Sequence, residues 1–536
     1  MAEFPTLDRL VRTLGLVVLP ICQGTSDPFS PDMRWMFPAP ASDQWIPCDV
    51  TFAGGENLVW ASSAGSDGRW SVLDAAGETL GTARTPRFQD SAPVASITSV
   101  MAVAGRRADA VYGLRQEVVS GIDKRSEVFR YDPLQAAAGG PFDPEWTFSS
   151  GVVSRGSAIL ETDEEGLVVV LAVLNAGLGQ VELTWIDGLS GTLLHQRIVS
   201  GSALNSLKIS ADGNRVALAA GLDAYVFDSD GIQIDHIVRS AATPALALSA
   251  TGRVLALGGS SRLDVWVRRP VGYRLVRTLH GSPVELATRV ALSADGSLLA
   301  LTWWDRTTGI GLRLETWDVR SDTLLINYSQ NGIQGGFQNV AEALQMTPDG
   351  RRVALGTWGL AGIEPEVLLF DVADPVPVFS ADLPGSVHDL ALDSTGSRIV
   401  VAHKDAHANQ FSSTGGIRFF DTGERDLQQL EPPVLGGQVQ LVAARPGAGN
   451  VLFLIGDRIP QPLPLPGVGG SALFLDPSSL RIFPRPADSS GRGQWSFRVP
   501  SNPMWIGIPW SAQAAFRVNG TTVLSGVVLD PLVLNP

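Results

Sequence analysis

The chain has 536 residues, of which 18% are charged, and it carries 57 glycines, 35 prolines and a formal net charge of −14. That length allows more than one domain and a large buried core, and the turn-rich, aliphatic composition argues against disorder and long exposed helices. The excess of 54 acidic over 40 basic residues repels a phosphate backbone, which makes nucleic acid a poor partner.

Arg9 and Arg12 precede an apolar run at 14–22, and Cys22 and Gly24 place small residues ahead of a possible cut after Gly24. The pattern predicts a secretory signal peptide over 1–24 and a linker over 25–46, with a buried N-terminal segment as the alternative. Glu3, Asp8 and Pro20 run against that pattern, and Ile21 is too bulky for a lipoprotein box. The run is too short to span a bilayer, and no other transmembrane segment is expected. Cys22 and Cys48 are the two cysteines, too few for a disulfide framework or a cysteine zinc site.

Internal repetition dominates the middle of the chain. SADGNRVALAA (210–220) is followed by SATGRVLALGG (249–259), SADGSLLALTW (293–303), TPDGRRVALGT (347–357) and DSTGSRIVVAH (393–403). The repeat glycines Gly213, Gly252, Gly296, Gly350 and Gly396 are 39, 44, 54 and 46 residues apart, and a weaker copy ends at Gly166. Each copy reads as a short strand, a tight turn whose glycine tolerates positive φ, and a continuously apolar second strand buried on both faces. A third strand follows and ends in a hydrophobic residue and an aspartate. The instances are Leu73-Asp74, Tyr131-Asp132, Ile186-Asp187, Phe227-Asp228, Trp317-Asp318, Phe370-Asp371 and Phe420-Asp421. A polar turn then leads to a fourth strand. Units begin near Pro47, Val94, Gly156, Ala203, Thr243, Ala287, Val340 and Ser386.

Four strands per unit with no helical periodicity resembles the blades of WD40 and YVTN-type β-propellers, and Trp317-Asp318 matches the WD dipeptide itself. The resemblance implies an all-β fold, a β-propeller over 47–431. Eight blades is the direct count, and seven results if the first unit caps the ring or completes the last blade. The Gly-His of the strict WD40 pattern is absent, so no subfamily is implied.

Beyond 431 the repeat stops, and short strands with Gly/Pro turns over 437–536 predict a small β-sandwich. The run PLPGVGGSALFLDPSSL, the Ser-Ser-Gly-Arg segment before Trp495 and the stretch at 511–514 resemble a C-terminal domain found on exported bacterial proteins. That resemblance implies export to the cell envelope or the exterior, and no chemistry.

No nucleophile elbow, P-loop, dinucleotide fingerprint, zinc-protease motif or calcium loop is present in the sequence. No cofactor is expected. His403, Asp405 and His407 lie within five residues, a spacing that holds a metal on a helix but here falls in a Gly/Ser-rich loop, so it reads as a polar loop. The connections between second and third strands are long in three consecutive units. They carry Trp303, Trp304, Asp305, Arg306, Trp358, His403 and His407 toward one face. Exposed Trp and Arg are frequent at binding hot spots, and loops on a rigid scaffold concentrate binding residues. These tryptophans packing between blades is the competing arrangement. The expected function is an exported, non-catalytic binding or scaffolding protein for a protein or glycan partner. The alternative is a propeller enzyme, a lactonase-like hydrolase or quinoprotein-like oxidoreductase, working at a central channel.

Overall fold

Each repeat turn folds through the same side-chain chemistry. In the computed structural model, Ser210 Oγ donates to Asp212 and accepts the Arg215 amide at 2.9 Å, while the Gly213 amide bonds the Ser210 carbonyl. Gly213 has φ of 69°, in the left-handed region that a Cβ disfavours. Ser293 with Asp295 and Thr347 with Asp349 repeat this pattern. The hydrophobic-Asp pairs serve the next turn. Asp187 Oδ1 accepts the Ser190 amide at 2.7 Å, and Asp318 Oδ1 accepts those of Arg320 and Ser321. These carboxylates satisfy backbone donors that no strand can reach.

The structure describes residues 32–38 and 46–529, with breaks of which 85–96 and 133–142 are the longest. The expected signal peptide lies outside the described residues. The protein is all-β and divides into two units, Asp32–Asp421 and a second containing Thr422–Pro536. Among the described residues no helix is long and apolar enough to cross a membrane.

Among the described residues, the first unit consists of eight four-stranded antiparallel sheets. Seven are simple meanders, from the first (Ile46–Ala53, Leu58–Ala64, Arg69–Asp74, Thr79–Arg84) to the seventh (Ala341–Met346, Arg352–Thr357, Val367–Asp371, Pro377–Ala381). The eighth takes three strands from its own repeat, Val387–Leu392, Arg398–Lys404 and Gly415–Asp421. Its fourth is Asp32–Pro38, which runs antiparallel to Gly415–Asp421 from Asp32 opposite Asp421 to Pro38 opposite Gly416. Residues 32–38, within the stretch 25–46 read from the sequence as a linker, are thus a strand, and Asp421 is the last residue of this unit. A single strand far from its partner in sequence carries no repeat signature by which to place it.

The second strand of each sheet shows why the sheets must pack. In the fourth sheet, Val216, Leu218 and Ala220 share a core with Val170, Leu183 and Trp185 of the third. Ala217 and Ala219 share another with Leu255 and Leu257 of the fifth. Both faces are covered, in the period-two alternation of a strand. The last junction closes the series, because Val400, Ala402 and Phe419 of the eighth sheet pack on Val50, Phe52 and Val59 of the first. The first strands of successive sheets also neighbour one another, and that of the eighth meets that of the first.

Polar contacts follow the same route. The Glu164 amide bonds the Ala211 carbonyl, the Ala211 amide bonds Ala250, and the Ala294 amide bonds Pro348, each linking equivalent turns of adjacent sheets. Between the eighth and first sheets a carboxylate replaces the carbonyl. Glu56 accepts the Ser394 amide at 2.7 Å and its hydroxyl at 2.9 Å, and lies 3.7 Å from Arg398.

In the second unit, Gln438–Ala444 pairs with Arg492–Arg498, and a separate sheet runs Gly469–Gly470, Thr521–Leu529, Ser511–Val518, Ala448–Gly456, Arg481–Pro486. Val439, Leu441 and Trp495 of one sheet and Phe453, Ile455 and Phe516 of the other enclose a common core.

The Glu56 junction leads to a stability prediction. Glu56→Ala removes two hydrogen bonds to a charged acceptor, which places the loss at about 2 kcal/mol. Urea unfolding monitored by tryptophan fluorescence measures it. An unchanged midpoint would mean that the eighth and first sheets hold together without this carboxylate.

Candidate functional site

The long connections of the sixth, seventh and eighth sheets meet in one cluster, but the seven predicted residues divide into three groups within it. Trp303 is core. It lies in the strand Leu298–Asp305 with no exposed surface, and its Nε1 donates to Glu315 at 3.0 Å. The same carboxylate accepts from Trp317 Nε1, and Arg313 stands over the Trp303 ring while pairing with Glu285. Extending the apolar second strand by one more residue buries the indole, so Trp303 is not part of the exposed face on which the sequence placed it. His403 is likewise 1% exposed, at the end of Arg398–Lys404.

Asp305 and Arg306 shape their own loop. Asp305 accepts from the hydroxyls and amides of Thr307 and Thr308, and the Thr307 hydroxyl in particular lowers its pKa to about 2. Arg306 is exposed and reaches back to Ser260 Oγ at 3.1 Å. Trp304 is half-buried, its Nε1 donating to the Gly309 carbonyl.

Trp358 and His407 form the centre. The His407 ring stacks on Phe337 with centroids 4.5 Å apart and meets Trp358 edge-on at 6.0 Å. Its Nε2 donates to the Gln338 carbonyl at 2.9 Å, and its Nδ1 accepts the Asn409 amide at 3.2 Å. Ser386 Oγ, fully buried, donates to the Trp358 carbonyl and accepts the Ala408 amide. Trp358 Nε1 donates to Glu342 Oε2, whose other oxygen accepts from Arg289 at 2.9 Å. Three sheets are thereby tied through one aromatic group.

His403 and His407 do not converge on an ion. Both His407 nitrogens are committed, and His403 Nδ1 faces the Lys404 carbonyl. Among the described residues, no three His, Cys, Asp or Glu side chains are placed to hold a metal.

The last two sheets also hold buried titratable residues, of which sequence reading singled out His403 and missed Glu366, His388, Asp389 and Arg418. Glu366 has no exposed surface; its Oε2 accepts the Leu383 amide at 2.6 Å and its Oε1 has no partner. Burial raises its pKa to about 7. His388 and His403 each have an unpartnered Nε2, and burial lowers both. Arg418 lies near enough to feel both Glu366 and Asp405. Asp389 accepts the Val50 amide at 2.9 Å, and burial together with the nearby Asp49 raises its carboxyl well above the usual range.

A recurring irregularity marks part of this set. The first strands of five sheets shift register between Pro47 and Asp49, Ile97 and Ser99, Ala287 and Arg289, Ala341 and Ala343, and Val387 and Asp389. Such bulges re-aim side chains and gather near functional sites. Glu342 and His388 are the bulged residues themselves, and Asp49, Arg289 and Asp389 are the first paired residues after a bulge. In three copies these positions stand seven or eight residues ahead of Gly296, Gly350 and Gly396, an available signal that the apolar pattern obscures. No protein-family model matches the chain, and no curated protein matches it either.

Glu366 makes stability depend on pH. An unfolded glutamate titrates near about 4.3, so between that value and about 7 the native state holds the extra proton. The contribution of this group is therefore present below the unfolded value and is lost as pH rises through the folded one. Glu366→Gln is expected to stabilise the protein at about pH 8 by on the order of 2–3 kcal/mol, with the difference vanishing below about pH 4.5. Paired urea titrations across that range test it. A difference independent of pH would show that the carboxyl is not held protonated.

Proposed function

We propose that residues 32–421 form an eight-bladed β-propeller closed by the strand Asp32–Pro38, followed by a small β-sandwich. The protein acts as an exported binding or scaffolding module. The propeller reading rests on eight equivalent sheets, the continuous cores between neighbours and the junction from the eighth sheet back to the first. Export rests on the N-terminal sequence pattern and on the likeness of the C-terminal segment to domains of exported proteins.

Partner capture is assigned to the loop cluster of the sixth to eighth sheets. One observation carries it: loops from separate repeats are locked together through His407, Phe337, Trp358 and Ser386. A surface ordered in advance loses little entropy on binding. Beside the half-buried Trp358, the exposed Asn409 lies on the His407 segment, Ile363 is exposed on the loop that follows Trp358, and the exposed Arg306 lies on the sixth-sheet loop of the same cluster. An aromatic centre within a polar rim is the usual anatomy of a recognition surface. Trp303 and His403 support this surface from below and do not contact the partner.

The test uses two defined probes on the full chain: an immobilised oligosaccharide panel, and a photocrosslinker at position 363 in cells that produce the protein. The wild type is expected to retain a glycan or to yield a discrete crosslinked protein. Trp358→Ala with Arg306→Ala is expected to lose that signal at least about tenfold while circular dichroism shows the chain still folded. Undiminished capture by the double variant would move the binding surface elsewhere.

A further inference from the structure

The loop cluster is held shut by a histidine that must be neutral to hold it. His407 uses one nitrogen as donor, from Nε2 to the Gln338 carbonyl, and the other as acceptor, at Nδ1 from the Asn409 amide. Those roles define the tautomer with hydrogen on Nε2. A second proton would fall on Nδ1 and set an N–H against the Asn409 N–H, turning a hydrogen bond into a repulsion. The ring is 7% exposed and lies between Phe337 and Trp358, so water does not readily compensate for the lost acceptor.

Burial and Lys404 oppose a cation at His407 and outweigh the Gln338 and Gly359 backbone, which favours one. Lys404, on the same segment, is itself occupied with the Gln410 carbonyl. Asp405 lies toward His403, 3.7 Å from its Nδ1, and it influences Arg418. The segment Phe337–Asn339 presents an aromatic ring and backbone, with no charged side chain. From the seventh sheet come Trp358 and the backbone of Gly359, with the Glu342 carboxylate engaged by the Trp358 indole and by Arg289. From the eighth sheet comes the Ser386 hydroxyl. No carboxylate contacts the ring to stabilise its cation, and burial lowers the His407 pKa from its ordinary value.

We propose that His407 is an acid-released latch: protonating it frees residues 404–410 from the Phe337–Asn339 segment and breaks up the ordered surface around Trp358. The closed state is complete above the ordinary histidine range and is lost as pH falls through the lowered value. Opening would dissolve the ordered recognition surface, so that partner capture weakens as acidity rises. That consequence rests on the binding reading above, whereas the latch does not, and it is tested without any partner.

Hydrogen exchange of the full chain, read by mass spectrometry at about pH 7.5 and about pH 5 and corrected for intrinsic rates, follows peptides covering 404–410 and 337–339. At the lower pH these peptides are expected to exchange at least about tenfold faster, with strand peptides from 215–220 unchanged. His407→Gln retains a donor and an acceptor but does not titrate, and is expected to show no such acceleration. Equal loop protection at both pH values in the wild type overturns the latch, and so does the same acceleration in His407→Gln. Should that variant not fold, nitrogen-15 spectra of histidine-labelled wild type decide. An Nε2–H tautomer at neutral pH, protonating together with loop opening, supports the latch, and an Nδ1–H tautomer overturns it.

Discussion

A strand that is apolar on both faces cannot stand at a surface, and this constraint organises the first unit. Val254–Gly259 and Arg352–Thr357 are buried at every position. Each such strand needs a sheet on either side, and each covering sheet carries the same need onward. A linear series would leave two apolar faces in water, at a cost proportional to their area. Contact of the eighth sheet with the first removes both ends, and the strand Asp32–Pro38 covers the backbone edge of Gly415–Asp421 that the last repeat leaves open.

That arrangement also determines which polar residues remain available for function. The most regular acidic residues, in the repeat turns and at the ends of third strands, are used on backbone amides at one end of the sheets. Glu315 is used in the same way on two indoles. Among the described residues, the carboxyl and imidazole atoms left buried without a partner belong to Glu366, His388 and His403 of the last two sheets. Burial there favours the neutral forms of Glu366, His388 and His403. A buried neutral polar group is sensitive to protons because little solvent is present to stabilise a new charge.

Sequence alone determined the all-β class, the spacing of the units and the chemistry of the turns. These depend on neighbours within a few residues, such as Ser210, Asp212 and Gly213, and on alternation along a single strand. It also singled out Trp358 and His407 on loops that do meet. Tertiary structure decided the rest. Trp303 and Trp304 are adjacent and chemically identical, yet Glu315 and Arg313 make the first a buried anchor while the second lies at the loop. Asp32–Pro38 finds its partner across nearly the whole unit, and Glu366 gains its character from burial, with groups as distant in the chain as the Leu383 amide and Arg418 beside it. Burial and charge at a point are sums over everything nearby in space, and in a chain that closes on itself those neighbours are remote in sequence.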